Sequence, residues 1–564
     1  MINPKGLIKG LPVPEGMSQL EHRLIIRDIT RGGAVMTHPQ LIAAMSLPEF
    51  YPAKPERVEL LQTHISLIFI AGDVVYKVKK AVDFGFLDFT TLEKRQFYCG
   101  EELRLNRRLA PEIYLDVVEI LERPDGRLAL NEPGSVVDYA VVMKKIPEER
   151  MLKKLLASGE TSISVMERVA RKVADFHRQA ETGGKIDEIG GLETIRRNHE
   201  ENFEQTLPFI DVTIPRYQYA LIRSWALKFL EAKEGLFRRR VANHRIRDCH
   251  GDLHLEHICL LDPEIVIFDC IEFNERFRYE DVAAEAAFLA MDLDFNGCPE
   301  YGEAFVQAYI SCSGDEEIRQ LLNFYKCYYA YVRGKVVGFK SRDAAVSQKE
   351  RDEARETASR YFDLAYTCAA RLERPALILM TGLMGTGKSV LARSLASRLG
   401  AEILQMDVLR KEMLKIPVTD HHFAEFGQGI YSDAVTRRTY AEALSRAEEM
   451  IRLGKSVIID ASYKRREERL KAKFAAGRLE ADFYAIECRC PEDVLKERLE
   501  KRLSETGEAS DGRWEIYQAQ KKDFDPVDEL SAGEHFSVST AAPPEVCVQE
   551  ILLKIKKLKT DIVS

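Results

Sequence analysis

The chain has 564 residues, of which 45% are hydrophobic and 30% are charged, and its formal net charge is -8. This composition is typical of an ordinary globular protein of several domain-sized units with ample core. The negative charge argues against a general nucleic-acid or anionic-membrane binder, although it leaves room for a local basic groove.

Residues 1–40 predict a loose N-terminal tail. Pro, Gly and charged residues dominate this segment, and no apolar core of signal-peptide length follows Lys5 and Lys9. The 11 cysteines include no zinc-type pairing of C-x-x-C units, which favours reduced thiols over a disulfide framework. No apolar run approaches 18 residues, so we expect no membrane span and a cytoplasmic protein.

Two strands joined by a tight turn are predicted at 66–71 and 74–80. Because side chains alternate along a strand, Lys77 and Lys79 project from the same face of the second strand. The ordinary interpretation of two such lysines is a solvated edge face. A helix is predicted at about 91–109, carrying Glu101 and Glu102, and strands follow near 114–121 and 137–145.

Two aspartates lie on either side of a predicted hairpin in the middle of the chain. Asp252 lies in a polar loop, and Asp269 is predicted to lie at the end of an apolar strand that begins at Val266. Phosphoryl transfer requires such a pair, one near the acceptor hydroxyl and one that holds Mg²⁺ on the phosphates.

A zinc site formed by Cys249, His250, His254 and His257 is an alternative use of the same loop. The i, i+4 spacing of two of these histidines suits zinc on a helix. Gly251 and Asp252 disfavour a continuous helix here, so the zinc site is the weaker hypothesis.

Residues 300–372 predict a run of helices, with apolar residues every three or four positions and few helix breakers. Pro375 begins a different pattern, in which strands alternate with helices. We therefore predict a domain at 41–372 with a helical C-terminal extension and a second domain at 373–564.

The sequence at 382–389 matches the G-x-x-x-x-G-K-[ST] pattern of a phosphate-binding loop, the P-loop. An apolar segment of strand length precedes it, and a helical pattern follows at 390–399. A phosphate cradle requires this order, because loop N–H groups and the helix N-terminus face the phosphates. Lys388 is expected to reach the β- and γ-phosphates, and Ser389 is expected to bind Mg²⁺. The predicted nucleotide-binding residues are Gly382, Leu383, Met384, Gly385, Thr386, Gly387, Lys388 and Ser389.

Two further strands of the second domain are predicted to end in carboxylates. The strand at 402–407 ends in Asp407, and the strand at 456–460 ends in Asp460. Asp460 occupies the position of a Walker-B-type carboxylate that holds Mg²⁺, with a helix-capping role as the alternative.

The polar stretch at 503–525 predicts either a mobile lid over the phosphates or a solvated loop. The arginines expected to bridge the transferring group are Arg498, Arg502 and Arg513. The alternation of strands and helices predicts a parallel sheet covered on both faces.

His250-Gly251-Asp252 followed by Asp269 resembles the catalytic and metal loops of the aminoglycoside phosphotransferase family, over roughly residues 45–340. The resemblance implies a bilobal protein-kinase-like fold that binds ATP. It also implies Asp252 as the catalytic aspartate and Asp269 as a metal ligand.

The same resemblance implies the groups that hold the nucleotide. Lys77, with Lys79 as the alternative, would contact the α- and β-phosphates, and Glu102 or Glu101 would be its helix partner. Residues 143–146 would form the hinge that meets adenine, and Asp281 would brace the catalytic loop.

One position departs from the family pattern. The family has Asn five residues after the catalytic aspartate, where it binds the second metal ion, whereas this chain has His257. Imidazole prefers transition metals to Mg²⁺. This half is therefore either an active kinase with His257 at its metal site or a degenerate kinase that binds nucleotide.

Residues 375–557 resemble the P-loop kinases of the polynucleotide-kinase and zeta-toxin type. The resemblance implies that Asp407 lies beside the acceptor hydroxyl and that Arg410 binds substrate. It does not fix the acceptor, because such domains phosphorylate nucleic-acid ends, sugars, nucleotides and small metabolites.

The sequence thus predicts an α/β and α+β protein: a bilobal kinase-like half, then a P-loop half with a doubly wound parallel sheet and a lid. The predicted activity is transfer of the γ-phosphoryl group from ATP, with Mg²⁺, to a hydroxyl of a small-molecule or nucleic-acid substrate. The alternative is a nucleotide-gated switch with a degenerate kinase half and slow ATP hydrolysis. The sequence does not predict an oligomeric state.

Overall fold

The computed structural model describes residues 38–342, 346–372, 374–417, 429–504 and 514–561. The chain forms two compact units. The first contains the chain up to Arg150 together with Val266–Asn274, and the second contains Met151–Ile265 and the chain from Glu275 onward. The predicted tail lies outside the described residues except for its last three positions. The predicted domain boundary near residue 372 remains a prediction.

The first unit is built on a six-stranded antiparallel sheet with the strand order β1-β2-β3-β6-β4-β5. The helix α2 begins after Thr91, whose side chain accepts a hydrogen bond from the Lys94 amide and caps the helix. The predicted strands and the predicted helix of this region are confirmed, with boundaries shifted by a few residues. The elements are α1 (His38–Met45), β1 (Val58–Gln62), β2 (Ser66–Ala71), β3 (Val74–Lys79), α2 (Leu92–Asn106), β4 (Tyr114–Glu122), β5 (Leu128–Leu130) and β6 (Ser135–Lys144).

The two lysines of β3 do not form a solvated edge face, so that interpretation is wrong. β3 lies inside the sheet between β2 and β6. Tyr76 and Val78 join the hydrophobic core on one face. Lys77 and Lys79 project from the other face, where their side chains are only 15% and 1% exposed.

The segment from Met151 to Leu372 is mainly helical in its described residues, and within it the run of helices predicted at 300–372 is confirmed. The segment around Asp252 lies between β7 and a short 3-10 turn at Leu255–His257, and it is not a continuous helix. The elements are α3 (Leu152–Ser158), α4 (Val165–Gln179), α5 (Lys185–Ile189), α6 (Leu192–Thr206), α7 (Arg216–Ala232), α8 (Glu234–Ala242), β7 (Ile246–Asp248), β8 (Ile258–Leu261), β9 (Glu264–Ile267), β10 (Tyr279–Asp281), α9 (Val282–Phe295), α10 (Pro299–Ser313), α11 (Ile318–Lys340) and α12 (Gln348–Ala370).

Asp269 lies just after an apolar strand, close to the predicted strand end. β9 ends at Ile267, two residues before Asp269, which has a positive φ of 63°. Because this conformation is not extended, Asp269 lies in the loop that follows the strand.

The C-terminal part of the second unit contains the predicted parallel sheet. Its five strands have the order β12-β13-β11-β14-β15, and every neighbouring pair is parallel. The elements are β11 (Ala376–Thr381), α13 (Lys388–Leu399), β12 (Glu402–Gln405), α14 (Met406–Met413), α15 (Asp433–Arg452), β13 (Val457–Asp460), α16 (Arg466–Arg478), β14 (Asp482–Arg489), α17 (Glu492–Ser504), α18 (Trp514–Lys522), β15 (His535–Ser539) and α19 (Pro544–Asp561).

The register of this sheet brings three strand ends together. Asp460 at the end of β13 pairs with Met380 of β11 on one side and with Gln405 of β12 on the other. The carboxyl ends of parallel strands form the edge at which ligands bind in such sheets. Asp407 does not end β12 as predicted; it lies in the first turn of α14, where a carboxylate also stabilises the helix dipole.

None of the helices in the described ranges has the length and apolar character needed to cross a membrane.

Candidate functional site

The P-loop has a backbone that requires glycine. Gly382, Gly385 and Gly387 have φ values of 126°, 75° and 83°. A Cβ atom on Gly382 would lie 2.6 Å from the carbonyl oxygen of Cys488, so the loop also approaches β14 more closely than a side chain allows. The sequence motif and the strand–loop–helix order are thus present as predicted.

Two side chains of the P-loop fold back onto one carbonyl. Lys388 Nζ donates to the carbonyl oxygen of Leu383 at 2.8 Å, and Thr386 Oγ1 donates to the same oxygen at 2.7 Å. Lys388 is also the first residue of α13, with Gly387 as its N-cap. The lysine and the helix N-terminus therefore face the same loop, which is the arrangement of an anion-binding site.

The two predicted Mg²⁺ ligands of the P-loop half meet at the end of β13. The Ser389 hydroxyl donates to the Asp460 carboxylate, and Lys388 and Asp407 are near enough to affect the pKa of Asp460. Burial, with a smaller contribution from Asp407, raises the pKa of Asp460 despite the opposing effects of Ser389 and Lys388. Hydroxyl and carboxylate oxygens are the ligands that Mg²⁺ prefers, so Ser389 and Asp460 fit a magnesium site.

Asp407 has a cationic neighbour on the same helix. Its carboxylate accepts a hydrogen bond of 2.5 Å from Arg410, whose guanidinium lies 4.7 Å from the ring centroid of Tyr431. This arrangement holds the Asp407 carboxylate in place while leaving it partly exposed. Asp407 is also near enough to Asp460 to raise its pKa. The roles of Asp407 and Arg410 toward an acceptor remain predictions.

The helices α17 and α18 pack against the P-loop. Arg498 lies next to Gly387: if Gly387 carried a Cβ atom, that atom would be 3.4 Å from Arg498 Nη1. Arg498 Nη2 donates to the Thr540 carbonyl at 2.7 Å. The side-chain oxygen of Gln520 accepts a hydrogen bond of 3.0 Å from the Met384 amide. The side chain of Arg502 and all of Arg513 lie outside the described residues, as do residues 505–513 of the stretch predicted at 503–525 to be a lid or a solvated loop. Trp514–Lys522 of that stretch form the helix α18.

The first unit holds a cluster of two lysines and three carboxylates. Lys77 Nζ lies 2.8 Å from Glu102 and 2.7 Å from Asp269. Lys79 Nζ lies 2.6 Å from the other oxygen of Glu102 and also pairs with Glu272. Lys77, Glu102 and Asp269 are thus brought together as the resemblance implies, and Glu101 pairs instead with Arg104 on the same helix.

The charges in this cluster stabilise one another. Burial opposes the charge of Lys77, but Asp269 and Glu102 outweigh it and raise the pKa of Lys77 well above its usual value. Burial likewise opposes the charge of Glu102, yet the two lysines lower its pKa. Glu272 was not predicted as a site residue; its signal is an acidic side chain within the apolar run at 270–273.

The loop around Asp252, in the second unit, places two imidazoles beside this carboxylate. His254 Nε2 and His257 Nδ1 lie 3.6 Å and 3.5 Å from Asp252 Oδ2. Burial alone would raise the pKa of Asp252, but the two histidines and Arg333 hold it well below its usual range. The carboxylate is therefore ionised at neutral pH.

The same loop is braced by residues that sequence reasoning missed. Glu285 accepts a hydrogen bond of 2.7 Å from the Gly251 amide and another of 2.6 Å from His177. Asp292 accepts a hydrogen bond of 2.9 Å from the Leu255 amide. Both acids lie on α9, four and eleven residues beyond Asp281. Asp281 itself caps α9 and pairs with the buried Arg240.

Comparison with known proteins bears on both halves. Residues 96–321 match the Phosphotransferase enzyme family, and residues 377–527 match the AAA domain. An uncharacterized protein of Mycobacterium tuberculosis is 30% identical over 468 residues, which cover 83% of this chain and 91% of that protein. An uncharacterized protein of Mycobacterium bovis matches to the same extent.

Two solved structures illustrate the range of partial matches. A gluconokinase from Sinorhizobium meliloti is 22% identical and covers 34% of this chain and 98% of its own, with a TM-score of 0.24. A choline/ethanolamine kinase family protein from Mesorhizobium loti is 13% identical and covers 58% of this chain and 99% of its own, with a TM-score of 0.35.

The two family matches follow the order that the sequence predicts, a phosphotransferase half and then a P-loop half. The predicted fold class, kinase-like and then parallel α/β, is confirmed. The chain belongs to the same family as these mycobacterial proteins, and it is an ATP-dependent phosphotransferase of the kinase type.

Proposed function

We propose that this protein transfers the γ-phosphoryl group of ATP to a hydroxyl group of a small molecule or a nucleic-acid end. The observation that carries the proposal is the meeting of Lys388, Ser389 and Asp460 at the P-loop, with Asp407 beside them. These residues supply the cation, the oxygen ligands and the acceptor-side carboxylate that phosphoryl transfer requires.

In the P-loop half, the ammonium group of Lys388 exchanges its contact with the Leu383 carbonyl for the β- and γ-phosphate oxygens. Ser389 and Asp460 would hold Mg²⁺, which neutralises phosphate charge when it is bound. Asp407 orients the acceptor hydroxyl or accepts its proton. Arg498 lies beside the loop and, with Arg502 and Arg513, is proposed to stabilise the transferring group.

In the kinase-like half, Lys77 is proposed to bind the α- and β-phosphates while Glu102 fixes its position. Asp269 is the proposed metal ligand, and Asp252 faces the acceptor. Because the pKa of Asp252 lies well below its usual range, this carboxylate is a weak base. Its main contribution is therefore to orient the hydroxyl, with the proton transferred late in the reaction.

The test is a search for the phosphorylated product. Purified protein is incubated with labelled ATP and a cell extract, and label is followed in the small-molecule and nucleic-acid fractions. Transfer by the P-loop half should fall by at least about 100-fold in Lys388→Ala, because one charge-stabilising group contributes that much. Lys415→Ala, which removes an exposed lysine of the same half, is the control. Unchanged transfer in Lys388→Ala would contradict this assignment.

The same assay shows whether the kinase-like half contributes to the transfer. Adding Asp252→Ala to the Lys388→Ala variant should remove any transfer that remains. Full transfer activity in the single variant Asp252→Ala would show that the kinase-like half has no catalytic role.

The second candidate function is a nucleotide-gated switch, which His257 favours because it replaces the expected asparagine. A switch binds ATP, hydrolyses it slowly and yields no phosphorylated acceptor. Labelled product that depends on Lys388 or Asp252 would exclude it.

A further inference from the structure

Two imidazoles and one carboxylate converge in the segment around Asp252. One potential ligand atom from each of Asp252, His254 and His257 lies within 4.8 Å of the others. The His254 Nε2 and His257 Nδ1 atoms lie 3.6 Å and 3.5 Å from the same carboxylate oxygen. Two ligand atoms bound tetrahedrally to Zn²⁺ at 2.0–2.1 Å are about 3.3 Å apart, so the observed spacing is close to that of a metal site.

The chemistry of this set does not fit the metal that the kinase pattern implies. The pattern places an asparagine oxygen at position 257, whereas this chain presents an imidazole nitrogen there and a second one at His254. Mg²⁺ takes oxygen ligands and retains several waters. Imidazole suits Zn²⁺ and related transition metals, and two histidines with one carboxylate form a known type of open zinc site.

The cluster is held in place by its own loop. The His257 Nδ1 atom lies 2.9 Å from the Asp252 carbonyl oxygen, and the Glu256 amide donates to His254 Nδ1 at 3.3 Å. The Glu256 contact fixes the His254 ring through the nitrogen that does not face the carboxylate. The His257 contact uses the same Nδ1 atom that faces the carboxylate, so an ion bound there would replace the contact with the Asp252 carbonyl. Binding also requires both ligand nitrogens to be free of their protons, so it releases protons, as metal binding at histidine does in general.

The cluster is also open on one side. The side chains of His254 and His257 are 4% and 13% exposed, whereas that of Asp252 is 31% exposed. An ion can therefore enter past the carboxylate and retain a fourth position for water. No helix is needed to bring the ligands together, which removes the objection that the sequence raised against a metal site here. Cys249, part of the zinc set considered from sequence, lies instead with His177 and Glu285.

We propose that Asp252, His254 and His257 form a binding site for a divalent transition-metal ion of the Zn²⁺ class. An ion bound there would occupy the carboxylate that the proposed function assigns to the acceptor hydroxyl. Zinc binding and phosphoryl transfer by the kinase-like half are then mutually exclusive. This consequence rests on the proposed function, whereas the proposed zinc binding does not depend on it.

The experiment is calorimetric titration of ZnCl₂ into the full chain after treatment with a chelator, without ATP. The His257→Asn variant restores the oxygen ligand of the kinase pattern and should lose one zinc equivalent or bind it more than about 100-fold more weakly. The His244→Asn variant, which changes an exposed histidine outside the cluster, should match the unaltered protein. A large excess of Mg²⁺ should not displace the ion.

Equal zinc stoichiometry and affinity in His257→Asn and the unaltered protein would overturn the proposal, and the two histidines would then serve only as hydrogen-bond partners of Asp252. Thermal unfolding shows whether His257→Asn is folded; if it is not, Asp252→Asn takes its place with the same expected loss. Zinc binding without any phosphorylated product would contradict the proposed function alone. Product formation without zinc binding would contradict this inference alone.

Discussion

Glu102 shows how one buried carboxylate serves two cations. Its two oxygens contact Lys77 at 2.8 Å and Lys79 at 2.6 Å, and its side chain is fully buried. Each of these charges would cost several kcal/mol if it were buried alone. The cluster is therefore stable only while all its members are present.

We expect Glu102→Gln to lower the free energy of unfolding by about 3–5 kcal/mol. The substitution removes the negative charge that Lys77 and Lys79 share, although both ammonium groups remain buried. Urea denaturation followed by circular dichroism measures the change. Glu101→Gln removes a partly exposed carboxylate from the adjacent position and should cost less than about 1 kcal/mol. Similar losses in the two variants would show that the charge cluster contributes little.

His199 predicts a dependence of stability on acid. It is buried beside Phe324 and Tyr328, and burial lowers its pKa from 6.5 to about 4. Between these values the unfolded chain binds a proton that the folded chain does not, so stability is complete above pH 6.5 and falls as the pH drops toward 4. The loss approaches about 3 kcal/mol.

The His199→Phe variant should lose this part of the pH dependence, because phenylalanine does not titrate. The measurement is the free energy of unfolding at several pH values between 4 and 7. His64→Phe, at an exposed position, should keep the slope of the unaltered protein. A His199→Phe protein with an unchanged slope would contradict the assignment.

At the scale of elements, the turn between β11 and α13 determines the geometry of the P-loop. The parallel strands bring Asp460 to the same edge, and the turn brings Lys388 and Ser389 to it. Most of this could be predicted from the sequence, because the motif and its flanking strand and helix are local patterns. The position of Asp407 could not, since the start of α14 one residue before it depends on packing against β12 and α15.

We expect Gly382→Ala to abolish nucleotide binding at the P-loop, because the added Cβ would lie 2.6 Å from a backbone oxygen of β14. Titration with MgATP and thermal unfolding measure the effect. Gly454→Ala is the matched control: Gly454 also has a positive φ, 79°, but nothing lies within 4 Å of an added Cβ. It should cost only about 1–2 kcal/mol of stability and leave binding intact. Equal effects of the two substitutions would mean that backbone conformation alone matters.

At the scale of the whole molecule, each half carries one of the two tryptophans. Trp225 lies on α7 of the helical region, and Trp514 lies on α18. Trp514 packs against a small cluster of Leu495, Leu499 and Tyr517, and Leu383 and Met384 of the P-loop pack against the same cluster. The P-loop helix α13 meets α12 through Arg398 and Asp363, which are 3.5 Å apart and partly exposed. Such a pair contributes less than about 1 kcal/mol.

In the Trp225→Phe variant, the tryptophan fluorescence comes from Trp514. We expect MgATP to change this fluorescence in a saturable way, because triphosphate binding displaces the contacts of α18 with the P-loop. Adding Lys388→Ala should remove the response. Trp514→Phe, which retains Trp225, should show no Lys388-dependent change. A response of Trp225 that disappears in Lys388→Ala would instead show coupling between the two halves.

The sequence by itself determined the P-loop motif, its strand–loop–helix order and the order of the two halves. Its signals are local: a glycine motif, apolar strands and helical periodicity within a few tens of residues. The likeness to phosphotransferases also placed Lys77, Glu102 and Asp269 in one cluster. The tertiary structure alone decided that Lys79 and Glu272 complete that cluster, that Glu285 and Asp292 brace the loop around Asp252, and that His254 and His257 meet at Asp252. These contacts depend on burial and on approaches between distant segments, and no periodicity in the chain encodes them.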